Sequence, residues 1–395
     1  MKKLEKSVPV IRFKGFSEAW EQRKFIEIIN RLSKTSNSSI LPKVEYEDII
    51  AEEGRLNKDI SNKFDSRKGI LFQPKNILYG KLRPYLKNWL YPDFKGVAVG
   101  DFWVFEAIEA TPRFIYNLIQ SDSYQKVAND TAGTKMPRSD WTKVSNSSFF
   151  IPKESSEQKR IGTFFKQLDH TITLHQRKLD ALKLMKKGFL QQMFPNNEEK
   201  VPRLRFTDFD EVWEQRELGE EFEKVNERND GSFGKTHWIS VAKMYFVEPN
   251  KVLSNNIDTR TYVMRKGDIA FEGHPNATFK FGRFVANDIG SGIISELFPV
   301  YRHKTNYDNN YWKNAIQLEH IMAPIFSKSI TSSGNSSNKL DSKHFLSQKL
   351  YIANFGEQKK IGSLFKQLDD TIILYQNKLN KFDIIKKAYL KTMFI

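Results

Sequence analysis

The 395-residue chain contains no cysteine, which excludes disulfides and thiolate metal sites. Its longest apolar runs fall short of the ~20 residues a membrane-spanning helix needs. The opening MKKLEKSVPVIRF lacks the apolar stretch of a secretory signal, so a cytoplasmic protein without a membrane partner is expected. Catalytic signatures are missing too. GSFGKTHW (231–238) resembles the end of a phosphate-binding loop, but that loop requires glycine where Asn229 stands. No Gly-x-Gly-x-x-Gly opens a helix after a strand, no His-Glu-x-x-His occurs, and the seven histidines are scattered. PDFK (92–95) matches a nuclease fragment without a suitably spaced acidic-x-Lys partner, and the Asn-Pro-Pro-aromatic motif of amino-methyltransferases is absent. A long chain with no nucleophile or metal constellation reads as a binding protein rather than an enzyme.

Negative charge is also in short supply. Lys and Arg number 63 against 47 Asp and Glu, a net charge of +16. Such an excess favours a polyanionic partner such as nucleic acid; a merely soluble basic protein has the same balance.

What the chain does have is repetition. Residues 157–195, EQKRIGTFFKQLDHTITLHQRKLDALKLMKKGFLQQMFP, return at 357–395 as EQKKIGSLFKQLDDTIILYQNKLNKFDIIKKAYLKTMFI, with 21 of 39 positions identical at an offset of 200. A second phrase, VPVIRFKGFSEAWEQRK near the N-terminus, returns at 201–217 as VPRLRFTDFDEVWEQRE. Its matched pairs include Arg12 with Arg205 and Trp20 with Trp213, at an offset of 193. Each half opens with an RF-F-W cassette and closes with the long repeat.

The middles differ in sequence and agree in plan. ILYGKLRPYL (77–86) and VAVGDFWVFEA (97–107) are rich in β-branched and aromatic residues and predict strands. Residues 114–130 have helical periodicity, 131–141 read as a loop and 147–152 as a last strand. In the second half the same order runs through 266–274, 291–303, a helix at 311–330, a loop at 331–345 and a strand at 348–353. Two α+β domains of one plan and different surfaces are expected.

The repeated segment predicts a helix of about 35 residues, about 50 Å long. Leu168, Ile172, His175, Leu179, Leu182, Lys186, Phe189 and Met193 follow a 4-3 spacing, as do Leu368, Ile372, Tyr375, Leu379, Phe382, Lys386, Tyr389 and Met393. This is a heptad seam, expected to join the two helices; a helix packed only on its own domain is the alternative. Lys186 and Lys386 interrupt the seam at matching places, where looser packing is expected. Internal two-fold logic, with the first helix leading straight into the second cassette, predicts an antiparallel pair separating the two domains. The helices carry net charges of +5 and +4, either a solvated face or a rod along a phosphate backbone. Leu174, Leu184, Leu374 and Ile384 lie off the seam, suited to another subunit or to local loops.

Two divergent α+β domains, each followed by a near-identical helix beginning EQKxIG, resemble the specificity subunit of type I restriction–modification enzymes. The resemblance covers the whole chain. It rests on the duplicated EQK-IG-FKQLD-TI-L-Q-KL helix, the duplicated RF-F-W-E opening, and the junctions IPKESSEQ and IANFGEQ, the second lacking the proline of the first. It implies opening cassettes at 1–24 and 201–217, target-recognition domains at 25–150 and 218–350, and conserved helices at 151–200 and 351–395. It further implies a non-catalytic subunit whose domains each read one half of a bipartite duplex DNA target. The helices would set the spacer and dock methyltransferase subunits, two in number, with motor-nuclease subunits joining through the complex. S-adenosylmethionine, ATP and magnesium would then belong to those partners and none to this chain. An architectural coiled-coil protein binding DNA without sequence preference is the alternative.

Sequence is read at base edges and register is held on phosphates, so polar and basic residues of turns are the candidates. In the first domain these are Lys81, Arg83, Tyr85, Lys87 and Asn88 at a strand end, and Thr134, Lys135 and Arg138 in a loop. In the second they are His274, Asn276, Lys280 and Arg283 in the corresponding turn, and Ser333, Asn335, Asn338 and Lys339 in the corresponding loop.

Overall fold

The computed structural model describes residues 7–63, 65–131, 135–196, 199–253, 257, 259–333 and 337–395, with the side chains of 332 and 333 set aside. The chain divides into two compact units, Met1–Arg177 with Asn377–Ile395, and Lys178–Gln376. Each is α+β and each is built in the same order.

In the first unit the strand Glu21–Lys24 pairs antiparallel with Ser148–Ile151, Glu21 opposite Ile151. In the second, Glu214–Glu217 pairs with Lys349–Ile352. The segment between each pair forms a four-stranded antiparallel sheet. Its order is Ile29–Leu32, Phe102–Ala107, Ile77–Gly80, Trp89–Leu90 in the first unit. The second unit repeats it as Phe222–Val225, Val300–His303, Ile269–Glu272, Arg283–Ala286. Central strands covered on both faces read as unbroken apolar runs, and FWVF (102–105) is buried throughout. Alternation decides the rest. Trp103 and Phe105 enter a core with Trp20, Phe114 and Phe165, while Phe102 and Val104 enter a separate one with Val44 and Phe72.

Several expected elements are subdivided. The run 97–107 is two strands, Gly96–Ala98 and Phe102–Ala107, and 291–303 is Gly292–Ser295 and Val300–His303 with Pro299 in the break. The helix at 114–130 splits into Pro112–Leu118 and Asp122–Ala128, the second capped by Ser121. That at 311–330 splits into Asn309–Ala315 and Glu319–Ser329. The expected loop 331–345 is instead a hairpin, Ile330–Ser333 with Asn338–Leu340, followed by the helix Ser342–Leu346. Asp341 makes that helix possible, its carboxylate accepting from His344 N at 2.9 Å.

The repeats are long helices, Ser155–Gln192 and Phe355–Met393, and they run antiparallel. Within the first unit Phe164 meets Tyr389 (4.9 Å between centroids), His175 meets Phe382 (5.1 Å) and Asp169 meets Lys386 (2.8 Å). Within the second, Lys186 meets Asp369 at 2.5 Å and Phe194 stacks on Phe365. Both seam lysines are ion-paired across the seam, and Lys386 with Asp169 also lines a cavity of about 600 Å³. Each finds an aspartate on the opposite helix, because an ammonium held among apolar side chains needs a counter-ion. Leu168, Ile172, Leu179, Leu182, Phe189, Leu368, Ile372, Leu379, Phe382 and Tyr389 are all buried or half-buried.

The duplicated motifs meet in one joint per unit. Arg12 makes a two-pronged bond to Glu157 (2.7 and 2.8 Å), and Arg205 makes the same bond to Glu357 (2.7 and 2.8 Å). The next residue ties the helix start to the domain: Gln158 accepts from Thr111 N (2.8 Å) and donates to Pro152 O (2.9 Å). Gln358 does the same with Asp308 N (3.3 Å) and Ala353 O (2.9 Å). Glycine ends the motif because a Cβ on Gly362 would lie 1.9 Å from the Asp308 carboxylate. The far end of the opposite helix completes each joint. Phe394 packs on Phe114 at 5.4 Å and Trp20 at 6.4 Å, and Phe194 on Tyr311 at 5.3 Å and Trp213 at 6.5 Å.

Candidate nucleic-acid interface

In the first unit the strand Ile77–Gly80 runs into a 3₁₀ turn, Pro84–Leu86. Arg83 (φ 49°) and Lys87 (φ 55°) flank it in the left-handed region, a conformation costing about 1 kcal/mol or more per non-glycine residue. Neighbouring backbone holds the turn in place. Arg83 N donates to Pro137 O (2.7 Å) and Ser139 N to Lys81 O (2.9 Å), so residues 81–83 and 135–139 form one surface. Asp101 sits beside it, accepting from Arg138 Nη2 (2.9 Å) and lying 3.5 Å from Lys81 Nζ. Arg138 holds that carboxyl below its ordinary range. The Tyr46 hydroxyl donates to Asp101 O (2.6 Å) and accepts from Leu82 N (3.1 Å); its burial pushes its ionisation well upward.

The candidates divide accordingly. Lys81, Arg83, Lys135 and Arg138 share this surface, and Tyr85 stands at the turn, 56% exposed. Asn88 does not belong to it. It is buried (7% exposed), its Cβ held against Gly80, because the left-handed Lys87 turns the chain back into the sheet at Trp89. Lys87 itself points to Glu52 (3.0 Å), at the edge of a cavity of about 600 Å³ lined by Trp89, Tyr91, Arg113 and Lys387. Thr134 lies outside the described residues.

In the second unit His274, Asn276 and Lys280 are exposed. The Asn276 side chain shapes its own turn, accepting from Thr278 N (2.9 Å) and Phe279 N (3.0 Å). Arg283 is directed inward. It donates to Glu272 (2.9 Å) and to Ala242 O (2.5 Å), with its guanidinium over the Phe279 ring. Gly273 lets the strand Asn338–Leu340 lie directly on this turn: its carbonyl accepts from Asn338 N at 2.8 Å, and a Cβ there would sit 2.2 Å from Asn338 O. The turn bearing His274 is thereby joined to Asn338 and Lys339. Ser333 is described in its backbone alone, as the end of the strand Ile330–Ser333, and Asn335 lies outside the described residues. In both units the turn after a central strand meets the segment before the last short helix. The joining residues Tyr46, Asp101, Glu272 and Gly273 escaped sequence reasoning, because most of their contacts are to residues distant in sequence that no local pattern announces.

Residues 17–184 match the family model for the type I restriction modification DNA specificity domain. Over that span the chain resembles the type I restriction–modification specificity family. Its fold agrees with that resemblance. The type I restriction–modification S subunit from M. genitalium aligns over 98% of this chain and 99% of its own, at 14% identity and a TM-score of 0.61. A chain from a structure on complex assembly and conformational transition of the type I R-M system aligns over 94% of this chain and 96% of its own, at 16% identity and a TM-score of 0.53. No curated protein sequence matches the chain. Among the described residues, no helix is long and apolar enough to cross a membrane, and no group of three His, Cys, Asp or Glu is placed to hold a metal. On its long helices Leu174, Leu184, Leu374 and Ile384 are 49, 71, 50 and 67% exposed, joined by Met185, Ile373 and Ile385.

Proposed function

We propose that this chain is a type I restriction–modification specificity subunit, the non-catalytic reader of a bipartite duplex DNA target, with residues 25–150 reading one half and 218–350 the other. The observation that carries this reading is the contrast within one plan. The helices share 21 of 39 positions and the joints repeat the same Arg–Glu and Gln bonds in both copies, whereas the turn-and-loop surfaces differ in sequence, charge and hydrogen bonding. A purely architectural protein has no need of that contrast, and a reader of two different half-sites does. Lys81, Arg83, Lys135 and Arg138 in one domain, and His274, Lys280, Asn338 and Lys339 in the other, supply donors for base edges and phosphates. The antiparallel helices set the distance between half-sites. Their exposed Leu174, Leu184, Leu374 and Ile384 offer docking positions for two methyltransferase subunits, through which motor-nuclease subunits join. In this reading S-adenosylmethionine, ATP and magnesium serve those partners.

Exchange of residues 25–150 for the same segment of a related subunit tests the modular part. Methylated-base sequencing is expected to show one half of the recognised sequence changed and the other half and the spacer retained. A change in both halves, or methylation without sequence preference, contradicts it.

A further inference from the structure

Each domain carries a small hairpin that neither the candidate turns nor the loops include. In the first it is Ile49–Ile50 with Arg55–Leu56, entered from the 3₁₀ turn Tyr46–Asp48. In the second it is Ile239–Ser240 with Tyr245–Phe246, entered from Lys235–His237. Both have four-residue tips, but their chemistry is inverted. The first tip is Ala51-Glu52-Glu53-Gly54 and the second Val241-Ala242-Lys243-Met244. Glu52 turns inward, bonding Lys87 (3.0 Å) and Lys387 (3.0 Å), and an acidic tip repels phosphate. At the second tip Lys243 takes the place of Glu53, and Tyr245 and Phe246 take the places of Arg55 and Leu56.

These two aromatics are not absorbed by the core. Tyr245 is 47% and Phe246 38% exposed. Phe246 is braced from one side, its ring 3.6 Å from where a Cβ on Gly290 would stand and edge-on to His237 at 6.3 Å, which meets Phe233 at 5.4 Å. The first hairpin folds without such a pair, so the hairpin itself does not require it. Lys235 and Lys243 flank the aromatics, both exposed and without an ion pair among the described residues. The tip is also continuous with the reading turn. Arg283 donates to Ala242 O (2.5 Å) and to Glu272 (2.9 Å), and Glu272 lies 3.8 Å from His274.

We propose that this hairpin is a base-stacking wedge of the second domain, laying Tyr245 and Phe246 against an unstacked step of duplex DNA while Lys235 and Lys243 hold the adjoining phosphates. This rests on the specificity-subunit reading above. Apolar side chains inserted at flexible pyrimidine–purine steps both deform the duplex and read its deformability. Exposed aromatics alone also suit a protein partner. The unpaired lysines and the bonded path to the His274 turn favour nucleic acid.

The test uses the full chain assembled with its methyltransferase subunits, on duplexes carrying the target that methylated-base sequencing reports. 2-Aminopurine is placed at each purine of the half-site read by residues 218–350, the methylated adenine excepted. The wild-type complex is expected to raise its fluorescence at one step. The double variant Tyr245→Ala, Phe246→Ala is expected to lose that signal and to bind about 10- to 100-fold more weakly, the loss of one or two base–aromatic contacts. The double variant Tyr245→Phe, Phe246→Tyr keeps both properties. An alanine variant with wild-type affinity and signal overturns the wedge, as does one whose only defect is failure to co-purify with methyltransferase. A wild-type complex that methylates no bipartite target overturns the specificity reading itself, and the wedge with it.

Discussion

Glu357→Ala destabilises the second unit by about 3–5 kcal/mol, the scale of breaking a buried, two-pronged ion pair. The Glu357 side chain is fully buried and that of Arg205 is 13% exposed. Removing the carboxylate leaves the guanidinium without its counter-ion, and also strips the acceptor from Trp213 Nε1, which donates to Glu357 at 3.0 Å. The first copy supplies an internal control. Glu157 bonds Arg12 with the same geometry, but Trp20 Nε1 has no partner among the described residues. Glu157→Ala is therefore expected to cost less than Glu357→Ala by about 1 kcal/mol, one hydrogen bond. Hydrogen exchange at 349–376 and 148–177 reads the two joints separately. Equal loss of protection at both would refute the role assigned to Trp213.

Acid weakens the second unit before its carboxylates protonate. His303 ends the strand Val300–His303 with its ring stacked on Tyr307 at 3.7 Å and packed on Phe222 at 4.3 Å. Neither ring nitrogen has a partner among the described residues, and burial alone pushes its pKa down to about 3. The folded unit thus refuses a proton that the unfolded chain accepts near pH 6.5. Stability from this group is complete above pH 6.5 and declines as pH falls toward 3. Between pH 7 and pH 5 the loss is about 2 kcal/mol. His320, also depressed by burial, adds to the loss with the same sign. Urea unfolding at the two pH values reads it, and His303→Phe, which keeps the stacking without the titration, should remove most of the difference. An unchanged pH dependence in that variant would place the effect elsewhere.

The long helices and their pairing were legible because both are written twice. The 4-3 spacing marked the seam, and the repetition supplied the partner. The fate of Lys186 and Lys386 was not legible, since their aspartates lie on the other helix and only the antiparallel register brings them together. The Arg12 and Glu157 motifs were visible as repeated letters, but their bond spans 145 positions. Strands were located and then over-extended, because turns at residues 99–101 and 296–299 interrupt runs of uniform β character. Among the candidate residues, Asn88 was misplaced for a conformational reason. Its burial follows from the left-handed Lys87 before it, and nothing in LRPYLKNW indicates that two non-glycine residues there adopt positive φ. Arg283 looked like a free surface cation, whereas Glu272 and Ala242 O, distant in sequence from one another, hold it inward. The wedge hairpin escaped notice because its meaning lies in comparison with Ile49–Leu56, and the two align only once the sheets are superposed in order.

The central claim is that one chain reads two half-sites through two copies of one plan. Methylated-base sequencing of DNA from cells carrying the chain with the methyltransferase and motor-nuclease subunits proposed to join it tests it most directly. The account predicts a single bipartite motif, two unlike specific halves around a non-specific spacer of fixed length, with methylated adenine in each half. A continuous motif, two identical halves, or methylation without a motif would contradict it.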